Sequence, residues 1–305
     1  MQIRKLERQS FYAGCQFVDI EDQANEHALP LLIMYPTYKE EQVEKMGPYT
    51  ISAAQDAPLS DESFPLVIIS HGDGSTPLAY RTIAQFLARN GFIVGIPQHL
   101  FNNREDNTLS GTIDNLKNRP AHIRTVIDWF LKESSFSPSI KSNNISLIGH
   151  SMGGYTALAV AGGVPTSFPS ESPDQKPYCL SITHDKRVQS LILLAPAAGW
   201  FREKGALEDV NIPILMITGE KDTITPSFHG EFVLHGEFVL NGVSDKEKVQ
   251  HIVVENGGHF SFLSPFPDFM KSPSFPPSQD PAGFNRKEFH EDLQNTILNF
   301  LLRSF

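Results

Sequence analysis

The sequence predicts an α/β protein with a mostly parallel central sheet and helices on both of its faces. Seven short runs are almost continuously apolar, rich in Val, Ile and Leu, which is typical of strands that are covered on both faces. They span residues 29–36, 65–72, 91–98, 144–151, 188–196, 212–219 and 249–256. Helical patterns lie between them, and this alternation favours βαβ units with right-handed crossovers. Ligands of such a sheet bind at the carboxyl ends of its strands.

Four helices are predicted in the gaps between these strands. The stretch 123–131 places apolar residues at the spacing i, i+3, i+4, i+7 and i+8, which is the pattern of an amphipathic helix. A similar stripe covers residues 289–301, at the end of the chain. Residues 77–90 and 152–161 fill two further gaps, each directly after a predicted strand.

Composition and charge exclude several classes of protein. The 305 residues carry a formal net charge of −10 and contain no long run of Lys or Arg, so nucleic acids and anionic membranes are poor partners. No stretch approaches 18 apolar residues, so we expect no stable membrane insertion. Two cysteines, Cys15 and Cys179, do not make a disulfide framework. The first residues lack the apolar core of a secretory signal. We therefore expect a cytoplasmic protein that is a monomer or a homodimer.

Four long segments do not fit the alternation of strands and helices. Residues 37–62, 100–120, 163–187 and 263–286 are polar or rich in proline and phenylalanine. Long loops inside a compact domain are usually functional. We therefore predict one domain over residues 1–305, with these four excursions as lid or surface elements. The hexamer HGEFVL occurs in tandem at 229–234 and 235–240. This local duplication is expected to lengthen the helix or loop after the strand at 212–219.

The strongest chemical signal is GHSMGG at residues 149–154. It matches G-x-S-x-G between a predicted strand and a predicted helix, which is the context that a nucleophilic serine requires. Ser151 would lie on a sharp turn that exposes its hydroxyl above the sheet. The glycines keep side chains out of this turn, and the helix N-terminus favours negative charge that develops on a substrate.

A nucleophilic serine needs a base and an acid that orients the base. Asp222 follows the strand at 212–219, and His259 follows the strand at 249–256, so both are expected at the same edge of the sheet as Ser151. Glu220 is the rival acid, but it lies closer to the end of its strand. The order Ser151, Asp222, His259 is that of the α/β-hydrolase fold.

The sequence also predicts an oxyanion hole made of two backbone N–H groups. One should belong to Met152, the residue after the nucleophile. The other should come from SHGDG at 70–74, where Asp73 is the first candidate and Gly72, also expected to contact the substrate, is the second. A carboxylate would oppose a developing oxyanion, so the Asp73 side chain is expected to point away, toward Arg81 or solvent.

Several residues beside these turns are candidate substrate contacts. His99 ends the strand at 91–98 and is expected to face the catalytic edge. Phe260 and Phe262, with Phe266 and Phe269, follow the predicted base directly. They either anchor a long loop in the core or form a wall of an acyl or aromatic pocket. His71 and His150 are expected to pack and to make local hydrogen bonds rather than to transfer protons.

The segment PLVIISHGDGSTPLAYRTIAQFLARNGFIVGIPQH, followed by GHSMGG, resembles the dienelactone-hydrolase-like serine hydrolases. Within them it is similar to the platelet-activating-factor acetylhydrolases of the plasma type. Dienelactone hydrolases themselves use a cysteine nucleophile, where this chain has Ser151. The resemblance covers residues 30–160 well and 188–262 by motif order. It implies a triad of Ser151, Asp222 and His259, with Asp73 and Met152 as oxyanion donors.

These observations predict a serine esterase with an α/β-hydrolase fold and a lid built from loops. Its substrate would be a small or lipid-like ester, cleaved through an acyl-enzyme without a metal or an organic cofactor. Two alternatives remain open: an amidase or peptidase that uses the same triad, and a non-catalytic binding protein on a hydrolase scaffold.

Overall fold

The computed structural model describes residues 11–22, 27–225 and 235–304 of the chain. A single ten-stranded sheet lies at the centre of this part. The strands are β1 Tyr12–Asp22, β2 His27–Thr37, β3 Gln42–Met46, β4 Tyr49–Gln55, β5 Phe64–Ser70, β6 Ile93–Pro97, β7 Ile140–His150, β8 Val188–Leu194, β9 Ile214–Gly219 and β10 Val249–Val254. The helices are α1 Arg81–Arg89, α2 Ile113–Lys132, α3 Met152–Val160, α4 His235–Gly242 and α5 Arg286–Ser304.

The prediction of a mostly parallel sheet is confirmed. The sheet order is β10-β9-β8-β7-β5-β6-β2-β1-β4-β3. The strands from β10 to β6 pair in parallel, so their carboxyl ends meet at one edge. The predicted strand at 29–36 lies within β2 and is equally buried, but it pairs antiparallel with both β6 and β1.

The amino-terminal part of the sheet was not predicted. β1 was missed, and the segment 37–62, expected to be a surface excursion, contains β3 and β4, which extend the sheet. β4 buries alternate residues Tyr49, Ile51 and Ala53 and exposes Thr50, as a strand with one covered face does. β3 is short and mostly exposed at the edge of the sheet. Polar residues suit such an edge because they discourage pairing with another chain.

The four predicted helices are all present and cover the sheet on both sides. Buried residues of α1 and α5 belong to one hydrophobic cluster, which packs on one face of the sheet. Buried residues of α2, α3 and α4 belong to the cluster on the other face. Helix α4 contains the second copy of the repeated hexamer, whereas the first copy lies outside the described residues. Together the two layers support the strand ends that carry the site.

Helix α2 is tied to α3 at an internal proline. Pro120 has no N–H, so it leaves the carbonyl oxygen of Leu116 without its usual partner one turn earlier. The hydroxyl of Tyr155, in α3, donates to that oxygen across 2.9 Å. This hydrogen bond joins α2 to the helix that begins directly after Ser151.

The remaining long segments have little regular structure. The segment 163–187 contains one 3₁₀ turn and an isolated bridge between Thr166 and Cys179, while α2 begins inside the segment 100–120. The segment 263–286 contains two further 3₁₀ turns before α5 begins. Among the described residues, none of the helices has the length and apolar composition needed to cross a bilayer.

Candidate active site

Ser151 occupies a tight turn between β7 and α3. Its φ of 54° and ψ of −119° are unfavourable for a residue with a side chain, and such strain is typical of functional turns. Three backbone hydrogen bonds hold it: Ser151 N–H donates to the Leu194 carbonyl at 3.0 Å, and the Ser151 carbonyl accepts from Gly154 and Ala197 at 2.8 and 2.9 Å. The turn is therefore fixed by β8, by the loop that follows β8 and by its own helix.

The glycines of this turn are needed because backbone segments approach each other closely. A Cβ atom on Gly153 would lie 1.9 Å from the carbonyl oxygen of Ser70, at the end of β5. A Cβ atom on Gly149 would lie 2.2 Å from the carbonyl oxygen of Gly153. Larger residues at either position would push the turn away from the sheet, which explains the glycines of GHSMGG.

Asp222 and His259 form a buried hydrogen-bonded pair at the same edge. Asp222 Oδ2 lies 2.9 Å from His259 Nδ1. Asp222 Oδ1 accepts from the backbone N–H groups of Ile224 and Thr225, both at 2.8 Å. Burial alone would raise the pKa of Asp222, but the hydrogen bonds from His259 and these amides hold it below its usual value. The carboxylate is therefore charged and oriented toward the imidazole. Glu220 instead accepts from the backbone of Asn256, at 2.8 Å, and is exposed.

Thr225 is a further partner of this pair that the sequence analysis missed. Its hydroxyl lies 2.9 Å from Asp222 Oδ2 and 3.0 Å from His259 Nδ1. It also reaches the carbonyl oxygen of Ala195, at 2.9 Å, at the end of β8. The hydroxyl therefore connects the acid and the imidazole to a neighbouring strand.

The turn after β5 lies against Ser151. A Cβ atom on Gly72 would lie 3.3 Å from Ser151 Cβ, so the two turns are in contact. The Gly72 N–H donates to the hydroxyl of Tyr80 at 3.1 Å and is therefore occupied. No hydrogen bond of the Asp73 N–H to a described residue is present. Asp73 is thus better placed than Gly72 to supply a donor here.

The carboxylate of Asp73 is turned away from this position. It accepts from Asn102 at 2.6 Å, from Ser110 at 2.8 Å and from Asn107 at 3.3 Å. The expectation that it points toward Arg81 is wrong, because the Arg81 guanidinium donates to the carbonyl oxygens of Leu78 and Pro265. Neutral donors from the segment 100–120 hold the carboxylate instead.

A buried arginine lies behind this turn. Arg119, in α2, has a fully buried side chain. It donates to the carbonyl oxygen of His71, to Asn102 Oδ1 at 2.5 Å and to Thr156 Oγ1 at 3.0 Å. Burial lowers the pKa of Arg119 to about 9, and the charge of Asp73 opposes this change. The guanidinium therefore remains charged at neutral pH. The carbonyl of His71, to which it donates, lies two residues before Asp73. Arg119 lies on the apolar stripe of α2, which is the sequence signal that could have identified it.

The histidines near the two turns are neutral and serve as hydrogen-bonding groups. The His71 imidazole donates from Nδ1 to the Gly72 carbonyl at 2.7 Å and accepts the His99 N–H at Nε2, at 3.0 Å. Burial, together with Arg119, lowers the pKa of His71 to about 3. His99 is also fully buried, and its Nε2 lies 2.8 Å from Ser70 Oγ. It does not reach the cavity, contrary to the expectation of a substrate contact.

A cavity of about 360 Å³ opens above the two turns. Ser151, His259, Gly72 and Asp73 all line it. Of the predicted aromatic residues, Phe260 and Phe266 line it, whereas Phe262 is fully buried in the core and Phe269 is exposed. Tyr49, Arg104 and Phe275 line it as well and were not predicted.

The Met152 side chain does not line the cavity, and its contribution would be the N–H at the first position of α3. No group of three or more potential metal ligands occurs among the described residues.

The sheet order, the turn at Ser151 and the buried Asp222–His259 pair define an α/β-hydrolase of the serine esterase class. A family model described as chlorophyllase matches residues 15–170. The chain therefore belongs to the chlorophyllase family and is a carboxylic ester hydrolase. The matched region includes Asp73 and Ser151 but ends before Asp222 and His259, so the positions of the last two rest on the geometry above.

The structural comparison supports the same fold. A ferulic acid esterase from Streptomyces cinnamoneus is similar over 98% of this chain and 91% of its own, with a TM-score of 0.64 and 17% sequence identity. At this identity the likeness concerns the fold alone. No curated protein matches the chain by sequence. The narrower resemblance to dienelactone hydrolases and acetylhydrolases stays a prediction.

Proposed function

We propose that the chain hydrolyses esters through an acyl-enzyme on Ser151. The observation that carries this proposal is the 2.9 Å contact between Asp222 Oδ2 and His259 Nδ1 in the cavity that Ser151 also lines. His259 Nε2 would take the proton of the Ser151 hydroxyl as Oγ attacks the ester carbonyl carbon. Asp222 would keep Nδ1 protonated and stabilise the imidazolium that forms.

The tetrahedral intermediate places negative charge on the former carbonyl oxygen. The N–H groups of Asp73 and Met152 would donate to this oxygen. His259 then returns its proton to the leaving alcohol, the C–O bond breaks, and the acyl group stays on Ser151. A water molecule, deprotonated by His259, attacks the acyl-enzyme and releases the acid. No step requires a metal or an organic cofactor.

The cavity suits a small or moderately sized ester. Its volume of about 360 Å³ and its wall of aromatic and aliphatic side chains are typical of small-molecule sites. Phe266, Phe275 and Pro277 come from the segment 263–286, and we propose that this segment forms the lid. The whole chain would then act as a single domain with its substrate enclosed between the sheet edge and this segment.

The test is a series of p-nitrophenyl esters from acetate to dodecanoate, with methyl ferulate and chlorophyll added. The last two are included because the names of the structural neighbour and of the family refer to them. We expect hydrolysis that Ser151→Ala abolishes and that Ser142→Ala retains. Ser142 is the matched control because it is an exposed serine of the same strand, β7, near the end away from Ser151. Equal hydrolysis by Ser151→Ala and the unmodified chain would refute the proposal, and amides would be tested next.

A further inference from the structure

Three aromatic rings of the cavity wall are each in contact with an arginine guanidinium group. The Arg81 guanidinium carbon lies 4.1 Å from the centre of the Tyr49 ring. The Arg104 guanidinium carbon lies 5.6 Å from the centre of the Phe275 ring. Arg286 lies 5.5 Å from the centre of the Phe266 ring. A cation over an aromatic face is attracted by the ring, so these positions are favourable in themselves.

Within the described residues, one of these three arginines is paired with an acid. Arg286 donates to Asp280 at 2.7 Å and is neutralised there. Arg81 donates to backbone carbonyls, and neither Arg81 nor Arg104 has an ion pair among the described residues. Two arginines at this wall therefore lack an acidic partner within the described part of a chain whose net charge is −10.

The acidic groups near Arg104 are engaged elsewhere. Asp73, which also lines the cavity, accepts from three neutral side chains. Glu105 accepts from Gln98 at 3.2 Å. Asp106 accepts from the backbone and the hydroxyl of Thr108 at 3.1 and 2.7 Å. Arg104, an exposed residue that lines the cavity, therefore has no direct carboxylate partner among these residues.

The backbone of Arg104 is fixed relative to the reaction centre. Its N–H donates to the carbonyl oxygen of Ser75 at 2.9 Å, and Ser75 pairs with Asn103 in an isolated bridge. Ser75 lies two residues after Asp73, the proposed oxyanion donor. The backbone of Arg104 is therefore hydrogen-bonded to the turn that would bind the ester carbonyl.

Tyr49 adds an unused hydrogen-bonding group to the same wall. Its side chain is buried, and its hydroxyl has no hydrogen-bond partner among the described residues. Burial raises the pKa of this hydroxyl, while the charges of Arg81 and Arg104 act in the opposite direction. The hydroxyl is therefore protonated at neutral pH and lies within the field of both arginines. The hydroxyl is buried, so a ligand in the cavity would reach it only after a small movement of the wall. Leaving a buried polar group unpaired is unfavourable, and the new contact would remove that cost.

We propose that this wall binds an anionic group of the substrate, so that the enzyme prefers esters that carry a carboxylate. Arg104 makes the charged contact, and Tyr49 donates from its hydroxyl. The guanidinium fork suits a carboxylate because it offers two parallel N–H donors. The inference rests on the proposed function, since it concerns a second part of the ester whose carbonyl Ser151 attacks.

The test compares matched pairs of esters that differ in one charge. 4-Acetoxybenzoate and 4-acetoxybenzamide carry the difference on the alcohol half. Monomethyl adipate and its primary amide carry it on the acyl half. We expect a higher kcat/KM for the anionic member of at least one pair, and the pair that shows it identifies which half faces Arg104. High salt should reduce this preference.

Variants separate the specific contact from the overall charge. Arg104→Gln should lower the preference for the anionic ester about 10- to 100-fold, the range expected for losing a charged hydrogen bond. Tyr49→Phe should lower it by a smaller factor, and Arg104→Lys should retain part of it. Lys141→Gln makes the same change in net charge at the far end of β7 and should leave the preference unchanged. Hydrolysis of the neutral ester should stay near its original rate in Lys141→Gln. In the other three variants the preference is measured as the ratio of kcat/KM for the anionic ester to kcat/KM for its neutral partner.

Two results would overturn the inference. One is equal kcat/KM for both members of each pair in the unmodified chain. The other is a preference that Arg104→Gln and Lys141→Gln reduce equally, which would indicate a diffuse charge effect. Either outcome leaves the proposed function intact as long as Ser151→Ala abolishes hydrolysis of the neutral esters.

Discussion

The imidazole of His150 donates a hydrogen bond from Nε2 to the backbone carbonyl oxygen of His259 across 3.0 Å. His150 directly precedes Ser151, so this contact ties the turn after β7 to the loop after β10. Burial, followed by the nearby His259, lowers the pKa of His150 to about 3. The neutral ring accepts the Tyr80 hydroxyl at Nδ1 across 2.8 Å, which fixes its tautomer. The proposed nucleophile and base are thereby positioned by a side chain that need not exchange protons.

Tyr80→Phe tests this arrangement. The variant leaves His150 Nδ1 and the Gly72 N–H without a partner, so we expect a loss of about 1–3 kcal/mol in the free energy of unfolding. We also expect a lower kcat, because both turns of the site lose a restraint. Tyr155→Phe is the control, since it removes another buried hydroxyl that only joins α3 to α2. Urea unfolding and ester hydrolysis measure the two effects. If both variants lose stability but neither loses kcat, Tyr80 is structural only.

Arg119→Gln should weaken the turn after β5, whose Asp73 N–H is the proposed oxyanion donor. Arg119 donates hydrogen bonds to the His71 carbonyl and to Asn102 Oδ1, and the Asn102 amide donates in turn to the Asp73 carboxylate. The loss of one oxyanion donor elsewhere lowers kcat about 10²–10³-fold, so a loosened donor should lower it by a smaller factor. KM should change little, because the oxyanion forms only in the transition state.

Kinetics on a p-nitrophenyl ester and the affinity of a trifluoromethyl ketone, which mimics the tetrahedral intermediate, check this prediction. We expect the ketone to lose affinity in parallel with kcat. Lys117→Gln lies on the exposed side of the same helix and serves as the control. An Arg119→Gln variant that folds and keeps both kcat and ketone affinity would contradict the role assigned to Arg119.

Thr225→Val should impair the acid–imidazole pair without changing its shape. The variant removes the hydroxyl that lies beside both Asp222 Oδ2 and His259 Nδ1. A neutral hydrogen bond contributes about 0.5–1.5 kcal/mol, so kcat should fall roughly 2- to 12-fold. The pH profile of kcat/KM should also move, because the hydroxyl acts on the imidazole. Thr223→Val changes an exposed residue of the same loop and should have neither effect. An unchanged pH profile in Thr225→Val would assign the hydroxyl to loop structure alone.

The buried histidines predict a loss of stability in weak acid. The pKa values of His71 and His150 are lowered to about 3 in the folded protein, whereas an unfolded histidine titrates near 6.5. Between these values the unfolded chain binds more protons, so the free energy of unfolding falls as the pH drops below about 6.5. Each histidine adds a slope of up to about 1.4 kcal/mol per pH unit.

Urea unfolding at pH 7.5, 6.5, 5.5 and 4.5 measures this slope. Acidification also brings the net charge of −10 toward zero, which would stabilise the folded chain by itself. A falling stability therefore identifies the histidines as the dominant groups. His99→Gln, at a third site whose pKa is lowered by burial, should make the slope shallower, while His27→Gln on the exposed part of β2 should not. The same dependence of stability on pH in the unmodified chain and in His99→Gln would be incompatible with a neutral buried imidazole at this site.

The parallel strands and the Ser151 turn could be predicted from sequence because their signals are local. An apolar run, a tight turn with glycines and an apolar stripe all lie within a few residues of one another. Asp222 and His259 followed from their places after two strands, since parallel strands end at one edge. The contact between them could be expected, and the structure has it at 2.9 Å.

The missed features depend on contacts between distant segments. Tyr49 lies in a segment that looked like a surface excursion, although β4 alternates buried and exposed residues. Arg119 lies on the apolar stripe of α2, which marks it as buried, but its contact with the turn after β5 depends on how α2 packs. His99 was misplaced because the end of a strand does not determine which face its side chain takes. It points into the buried network with Ser70 and His122 instead.

The most direct test of the account is to trap the acyl-enzyme. The chain is mixed with excess p-nitrophenyl ester and quenched in acid within the first turnover, and the acylated peptide is located by mass spectrometry. We expect a burst of p-nitrophenol that approaches one per chain and an acyl group on Ser151, with neither in Ser151→Ala. Asp222→Asn should slow the burst but leave the site of acylation unchanged. Turnover without an adduct, or an adduct on another residue that persists in Ser151→Ala, would contradict nucleophilic catalysis by Ser151.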